Sequence, residues 1–168
     1  MAKKKRAGTS GETRTSFTFP DLHDDIASLV LCDSITPWFN AKGNDEDAIK
    51  TYCTNVMGRF KCNHRCTGKM WTSKMVAIVI RGYRRNGYNA LVFNQRCKGC
   101  NGLGTFTLDN DSYIERISYR LKKWAGVIRT VKQEDSIKDG PPHESSLCEG
   151  CKRGVCRQRR LHNAYSDF

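Results

Sequence analysis

The hydrophobic pattern predicts a β-hairpin in the middle of the chain. Residues 75–80 form an apolar run rich in β-branched side chains, the composition that a buried strand favours. Asn86 and Gly87 tolerate positive φ and predict a tight turn, after which residues 88–95 return beside the first strand. Residues 54–61 predict a third strand leading into the hairpin, and residues 105–108 predict a short fourth strand.

Two segments show the helical spacing of apolar residues. Residues 20–30 carry acidic side chains in their first turn, where these side chains complement the helix dipole. The apolar face of this helix consists of Leu22, Ile26, Leu29 and Val30. The second helix is expected to begin at Ser112, which forms a capping box with Glu115, and to end before Gly126. Its apolar face consists of Ile114, Ile117, Leu121 and Trp124. Residues 48–52 are interpreted as a short helical turn.

These elements predict a small α+β protein in which an antiparallel sheet packs against one amphipathic helix, and an N-terminal helix completes the core. The 168 residues suit a single domain, which we place at residues 17–160. A disordered basic tail is expected at residues 1–16, and a second tail at residues 161–168. Hydrophobic residues make up only 38% of the chain, so the core needs reinforcement.

The nine cysteines can supply that reinforcement. The sequence shows no signal peptide and no apolar stretch long enough to cross a bilayer, so an intracellular location, cytoplasmic or nuclear, is expected. Thiols stay reduced there, and the odd cysteine count also argues against a closed disulfide framework. Metal binding is therefore the better interpretation. Cys32 is expected in the core, and Cys53 is left without a ligand role.

Eight residues have the spacing of zinc ligands. The predicted hairpin would bring the pair Cys62 and Cys66 to the pair Cys97 and Cys100, which is the arrangement of a structural Zn²⁺ site with four thiolates. A C-terminal motif supplies the other four ligands, His143, Cys148, Cys151 and Cys156. Eight ligands suffice for two zinc ions. Two alternatives stay open: the C-terminal cluster could share ligands with the first pairs around one zinc, and His64 could replace Cys62 or Cys66.

The net charge is +12, from 29 Lys and Arg residues against 17 Asp and Glu residues. Such an excess favours anionic partners, although it can equally be a solvated surface. For nucleic acid, one candidate group is the hairpin tip, where Tyr83 and Tyr88 are interleaved with basic residues. The other candidate group is the polar face of the second helix. The six candidate residues are Arg81, Arg84, Arg85, Arg116, Arg120 and Lys123.

Four motifs follow one another along the chain. They are Gly58-Arg59-Phe60-x-Cys62, Trp71-x-Ser73, Gln95-Arg96-Cys97-x-x-Cys100 and His143…Cys148-Glu149-Gly150-Cys151-x-x-Gly154-x-Cys156. Over residues 17–160 this ordered set resembles the 3CxxC-type zinc finger domain family, which includes vertebrate receptor-transporting proteins and many fungal proteins. Asp21-Leu22-His23 and the Cys-Glu-Gly-Cys run resemble the fungal branch. Receptor-transporting proteins assist membrane receptors to the cell surface and typically carry a C-terminal membrane segment. No such segment occurs up to Phe168, so receptor transport is not expected to carry over intact.

The resemblance therefore implies a zinc-binding interaction module that acts as a soluble adaptor or chaperone-like protein-binding factor. The alternative is a zinc-dependent protein that binds RNA or other nucleic acid through its basic surface. No enzymatic activity is expected, because thiolate-saturated zinc sites keep no open coordination position. The HExxH pattern is absent, and Leu147 stands before Cys148 where the zinc deaminase signature requires proline.

Overall fold

The computed structural model describes residues 11–66, 68–128 and 143–157, and a six-stranded sheet forms its centre. The strands are β1 (Ser16–Phe17), β2 (Trp38–Phe39), β3 (Lys50–Lys61), β4 (Met70–Tyr83), β5 (Gly87–Phe93) and β6 (Thr105–Leu108). The main path has the order β1-β5-β4-β3-β6 with antiparallel pairing, and β2 pairs with β5 in parallel. The helices are α1 (His23–Leu31), α2 (Asn110–Trp124) and α3 (Glu149–Lys152).

The α+β prediction is thus confirmed: an antiparallel sheet, a long amphipathic helix and an N-terminal helix are all present. In the part of the chain that the structure describes, no helix is long and apolar enough to cross a membrane. The tails predicted at residues 1–16 and 161–168 lie mostly outside the described residues, and the domain boundaries 17–160 stay a prediction.

The predicted hairpin is present and longer than the apolar run indicated, since β4 extends over 14 residues and β3 over 12. The interpretation of residues 48–52 as a helical turn was wrong. Lys50 is already the first residue of β3, and Tyr52 pairs with Ile80 on β4. Such a short segment has little helical preference of its own, so pairing with an already buried strand decides its conformation.

The hairpin turn lies slightly earlier than predicted. Arg85 and Asn86 adopt positive φ, at 56° and 60°, whereas Gly87 has an extended backbone and begins β5. Glycine is still required at residue 87, because the Trp38 ring occupies the space that a Cβ atom would need. The residue therefore serves close packing rather than an unusual backbone conformation.

Both faces of β4 are buried at residues 76–80, which explains the uninterrupted apolar run there. Val76, Ile78 and Ile80 lie in the main core beneath α1 and α2. Ala77 and Val79 point to the other side of the sheet, where the C-terminal segment with α3 covers them. The core also contains three stacked aromatic rings. These are Trp71, Phe60 and Phe106, with centroids 5.2 Å and 4.9 Å apart for successive pairs.

Helix α1 contacts the core through a narrower stripe than predicted. Ile26 and Val30 are fully buried, but Leu29 is 49% exposed. Cys32 is also exposed, so the prediction that it lies in the core was wrong; it follows the end of α1 and its thiol donates to the Leu29 carbonyl. His23 is hydrogen-bonded through Nδ1 to the Tyr88 hydroxyl, 2.9 Å away, and so joins α1 to β5.

Helix α2 begins earlier than predicted. Asp109 is its N-cap, and the Asp109 carboxylate accepts a hydrogen bond from the Ser112 backbone N–H at 2.9 Å. The proposed capping box of Ser112 with Glu115 was therefore wrong, because Ser112 already lies inside the helix. The Ser112 hydroxyl instead accepts a hydrogen bond from the backbone N–H of Met57 and attaches the helix to β3. The predicted apolar face is confirmed, with Ile117 and Leu121 buried.

Candidate metal centres

The structure brings the eight predicted ligands together in two separate clusters. The hairpin site consists of Cys62, Cys66, Cys97 and Cys100, and the C-terminal site consists of His143, Cys148, Cys151 and Cys156. Within each cluster the four ligand atoms all lie within 4.8 Å of one another. The clusters share no residue, as in the simpler of the two predicted partitions. His64 is exposed and lies in neither cluster.

The hairpin site is assembled by strand pairing. Cys62 directly follows β3 and Cys97 lies beyond the end of β5, and both strands are paired to β4, which brings these distant residues to one end of the sheet. In the first loop, Lys69 accepts a hydrogen bond from Cys62 N–H and donates one to the Cys66 carbonyl. In the second, Asn101 adopts a φ of 58° and donates to the Cys97 carbonyl at 2.7 Å. Two tight turns thus point their thiols at a common centre.

The C-terminal site is built around α3. The Cys148 thiol accepts a hydrogen bond from the Cys151 backbone N–H at 3.4 Å. His143 Nε2 lies 3.2 Å from the Cys151 sulfur and 3.6 Å from the Cys156 sulfur. Gly154, with a φ of 72°, turns the chain so that Cys156 returns to the cluster. The three thiols are buried against the outer side of β4 and β5.

Both clusters fit zinc. A tetrahedral ion with Zn–S distances of about 2.3 Å and Zn–N distances of about 2.0 Å separates neighbouring donor atoms by about 3.5–3.8 Å. The Cys62 and Cys100 sulfurs are 3.5 Å apart, and the distances from His143 to the two thiols of its cluster are similar. Thiolate and imidazole are also the donors that zinc prefers. The prediction of two zinc ions is confirmed by these two clusters.

The surroundings of the thiols influence how easily they lose their protons. Backbone N–H groups of Gly102 and Arg65 lower the pKa of Cys100 to about 6. In the C-terminal site, a hydrogen bond with Cys156 and burial raise the pKa of Cys148, and burial raises the pKa of Cys151. Zinc binds the deprotonated thiolate, so metal binding at the C-terminal site must displace protons.

Arg96 joins the two metal sites. Its Nε donates to the Glu149 carboxylate at 2.5 Å, and its guanidinium also donates to the Asn101 carbonyl at 3.0 Å. Glu149 lies between the Cys148 and Cys151 ligands, whereas Asn101 directly follows Cys100. The side chain of Glu149 is only 8% exposed. A nearly buried ion pair therefore connects the polypeptide of one site to that of the other; no spacing rule in the sequence pointed to it.

Close packing of α3 against β4 gives a first testable prediction. A Cβ atom added at Gly150 would lie 2.5 Å from the Ala77 Cβ, which is too close for two carbon atoms. Gly150→Ala should therefore push the C-terminal site away from the sheet and cost about 1–3 kcal/mol of unfolding free energy.

The matched control removes the opposing methyl group. In an Ala77→Gly background the same Gly150→Ala change should cost almost nothing, because the clash is gone. Thermal or denaturant unfolding of the four proteins measures the difference. An equal cost of Gly150→Ala in both backgrounds would show that this contact does not determine the position of α3.

The six predicted nucleic-acid residues do not all reach solvent. Arg120 is buried, with its guanidinium carbon 3.2 Å from the centre of the Tyr52 ring, and Arg81 is half-buried and paired with Asp45. Helical spacing suggested that Arg120 shares a polar face with Arg116 and Lys123, but Arg120 packs against Tyr52 of β3. Arg84, Arg85 and Arg116 are exposed and Lys123 is half-buried. The interleaved Tyr83 and Tyr88 are buried, so they present no ring to a base.

Comparison with known proteins agrees with the metal sites. A family model described as a zinc-binding domain, the 3CxxC zinc ribbon, matches residues 55–154. The match extends from β3 into the C-terminal site and includes every ligand candidate except Cys156. No curated protein and no solved structure matches the chain.

Proposed function

Because this chain belongs to the family of 3CxxC zinc-ribbon zinc-binding domains, we propose that it is an interaction module that acts as a soluble adaptor or chaperone-like protein-binding factor. In this proposal the zinc ions stabilise the fold. The main support is that each cluster supplies four protein ligands, which fill a tetrahedral zinc and leave no position for substrate or water. We accordingly propose that the chain is not an enzyme.

A groove between α1 and α2 is the surface that we propose for a protein partner. It has a volume of about 350 Å³ and an apolar lining that includes Leu29, Ile114 and Ile128. Its lining also includes the exposed acidic residue Asp111. The basic Lys122 is already paired with Asp33 at 3.0 Å. The groove therefore suits an apolar peptide segment that carries a lysine or arginine at one end.

Selection from a library of random peptides tests this proposal. We expect the zinc-loaded chain to enrich peptides that combine apolar and basic residues. Leu29→Asp should weaken their binding at least about tenfold, since it places a charge in the apolar lining. Leu31→Asp is the matched control, because Leu31 is 62% exposed and does not line the groove. Failure to enrich any peptide, or equal losses in both variants, would contradict the proposed groove.

Within the family, we propose that the chain belongs to the fungal branch, related to the vertebrate receptor-transporting proteins. The supporting residues are Asp21-Leu22-His23 and the run from Cys148 to Cys151. We also propose an intracellular location, in cytoplasm or nucleus, where free thiols remain available for zinc. Microscopy of a tagged chain tests the location, and finding it in the secretory pathway would contradict it.

A further inference from the structure

The part of the chain that forms strands β3 to β6 is strongly basic. Between Asp47 and Asp109 the chain contains eleven Lys and Arg residues and no acidic residue. This interval includes β3, β4, β5, β6 and all four ligands of the hairpin site. A carboxylate that neutralises these charges must therefore come from the chain before β3 or after β6.

Strand register places several of these charges on one exposed face. Arg59 pairs with Thr72 on β4 and with Thr107 on β6. Two residues along β3, Lys61 pairs with Met70 and Thr105. Directly paired residues point to the same side of a sheet, and here it is the side opposite to Phe60, which lies in the core.

We call this surface the outer basic face. It consists of Arg59, Lys61, Thr72, Lys74, Thr105 and Thr107, all of them exposed. Lys74 belongs to it because it lies two residues beyond Thr72 on β4. The face lies on the opposite side of the sheet from α1 and α2, so it is separate from the peptide groove.

Among the described residues, the charges on this face have no acidic partner. Elsewhere on the sheet Arg81 is paired with Asp45, and beyond β5 Lys98 is paired with Glu144. Within residues 11–66, 68–128 and 143–157, no acidic side chain forms an ion pair with Arg59, Lys61 or Lys74. The loop at one end of the face adds the exposed Arg65 and Lys69. The result is an exposed surface whose positive charge no described carboxylate compensates.

We propose that the outer basic face binds the phosphate backbone of single-stranded nucleic acid. Lys and Arg supply charge to phosphates, and the threonine hydroxyls between them supply additional hydrogen-bond donors. An extended sheet surface suits a single strand that lies across it. Its six defining residues include no aromatic ring for stacking, so binding should depend on salt and little on base sequence. A membrane surface would call for several protruding apolar anchors, whereas Met70, which pairs with Lys61 and is 62% exposed, is a single one.

The test uses fluorescence anisotropy to measure binding of the full zinc-loaded chain to a fluorescein-labelled oligouridylate of about 20 nucleotides. The KCl concentration is varied between about 50 and 200 mM, because phosphate contacts make the affinity depend strongly on salt over this range. The variant Arg59→Gln/Lys61→Gln/Lys74→Gln removes three charges from the face. Its affinity should fall at least about tenfold, and the slope of log affinity against log salt should become shallower by about 2. Oligoadenylate should bind with similar affinity.

The matched control removes three exposed charges elsewhere, in Arg84→Gln/Arg85→Gln/Arg116→Gln, and should lose less than about threefold in affinity. An equal loss in both variants would overturn the proposal, since only net charge would then matter. Stronger competition by poly-glutamate or by vesicles containing phosphatidylserine would also overturn it, in favour of an acidic protein or a membrane. If the first variant binds less than two zinc ions, Thr72→Glu/Thr107→Glu replaces it and should show the same loss.

Discussion

Removing zinc with a strong chelator should unfold the chain. The C-terminal site covers Ala77, Val79 and Phe93, and without metal its thiols and imidazole have no common partner to hold them there. Structural zinc contributes about 10–16 kcal/mol in zinc-finger peptides, which equals or exceeds the whole net stability of about 5–15 kcal/mol of a typical domain. Loss of both ions should therefore leave no stable fold.

Circular dichroism with and without chelator measures the loss of structure, and native mass spectrometry should count two zinc ions beforehand. Cys151→Ala should reduce the count to one. Cys32→Ala is the control, because Cys32 is exposed and belongs to neither cluster, and it should keep both ions. A metal-free chain with an unchanged spectrum and melting temperature would refute a structural role for zinc.

Acid should have the same effect as the chelator. The zinc-bound state holds deprotonated thiolates and a neutral imidazole, so protons compete with the metal. Burial raises the pKa of Cys151, which makes its proton harder to remove and strengthens that competition. The stability that zinc confers should therefore be present at neutral and higher pH, and should decrease as the pH falls. Melting temperatures of the zinc-loaded chain across this range check the direction.

The second large effect is expected at the pair formed by Arg96 and Glu149. Glu149→Gln leaves the guanidinium of Arg96 without its anion in a largely buried position. Removing one partner of a buried pair costs about 3–5 kcal/mol; since Arg96 is 25% exposed, we expect about 2–3 kcal/mol for this change. Arg96→Met should cost less, because the Glu149 carboxylate keeps its ion pair with Lys152 at 3.3 Å. Because Arg96 also contacts Asn101, Glu149→Gln should accelerate zinc loss from the hairpin site as well.

A chromophoric chelator can follow zinc release from both sites, and denaturant unfolding gives the stability. The control is Lys98→Met, which breaks an exposed pair with Glu144 and should cost less than about 1 kcal/mol. The double variant Arg96→Met/Glu149→Leu should cost less than the sum of the single changes, since no buried charge is left unpaired. If Glu149→Gln affected only the C-terminal site, the two sites would be independent.

The hairpin and both ligand sets could be predicted from the sequence because their signals are local. The apolar run at residues 75–80 is long enough to specify a buried strand, and metal-ligand spacing depends only on the short turns between the ligands. Once the hairpin is recognised, the meeting of Cys62 with Cys97 follows from antiparallel pairing. Apolar and polar residues do not alternate within this run, which also fits a strand that is buried on both faces.

The predictions that failed depended on contacts between distant segments. Residues 48–52 became strand because β4 was available to pair with them, and Arg120 became buried because α2 packs one side against Tyr52. Cys32 was expected inside on residue type alone, but α1 ends just before it. The ion pair of Arg96 with Glu149 joins residues 53 positions apart, and no motif spacing represents such a distance.

The double covering of β4 has a consequence for synthesis on the ribosome. Strand β4 ends at Tyr83, but the segment that covers its outer side begins only at His143, about 60 residues later. Translation proceeds at about 5–20 residues per second, so the outer apolar surface of the nascent sheet stays exposed for roughly 3–12 s. During that time Ala77, Val79 and Phe93 form an exposed apolar surface that favours aggregation. Once the C-terminal site has left the ribosome, the supply of zinc should therefore limit how long each new chain stays prone to aggregation.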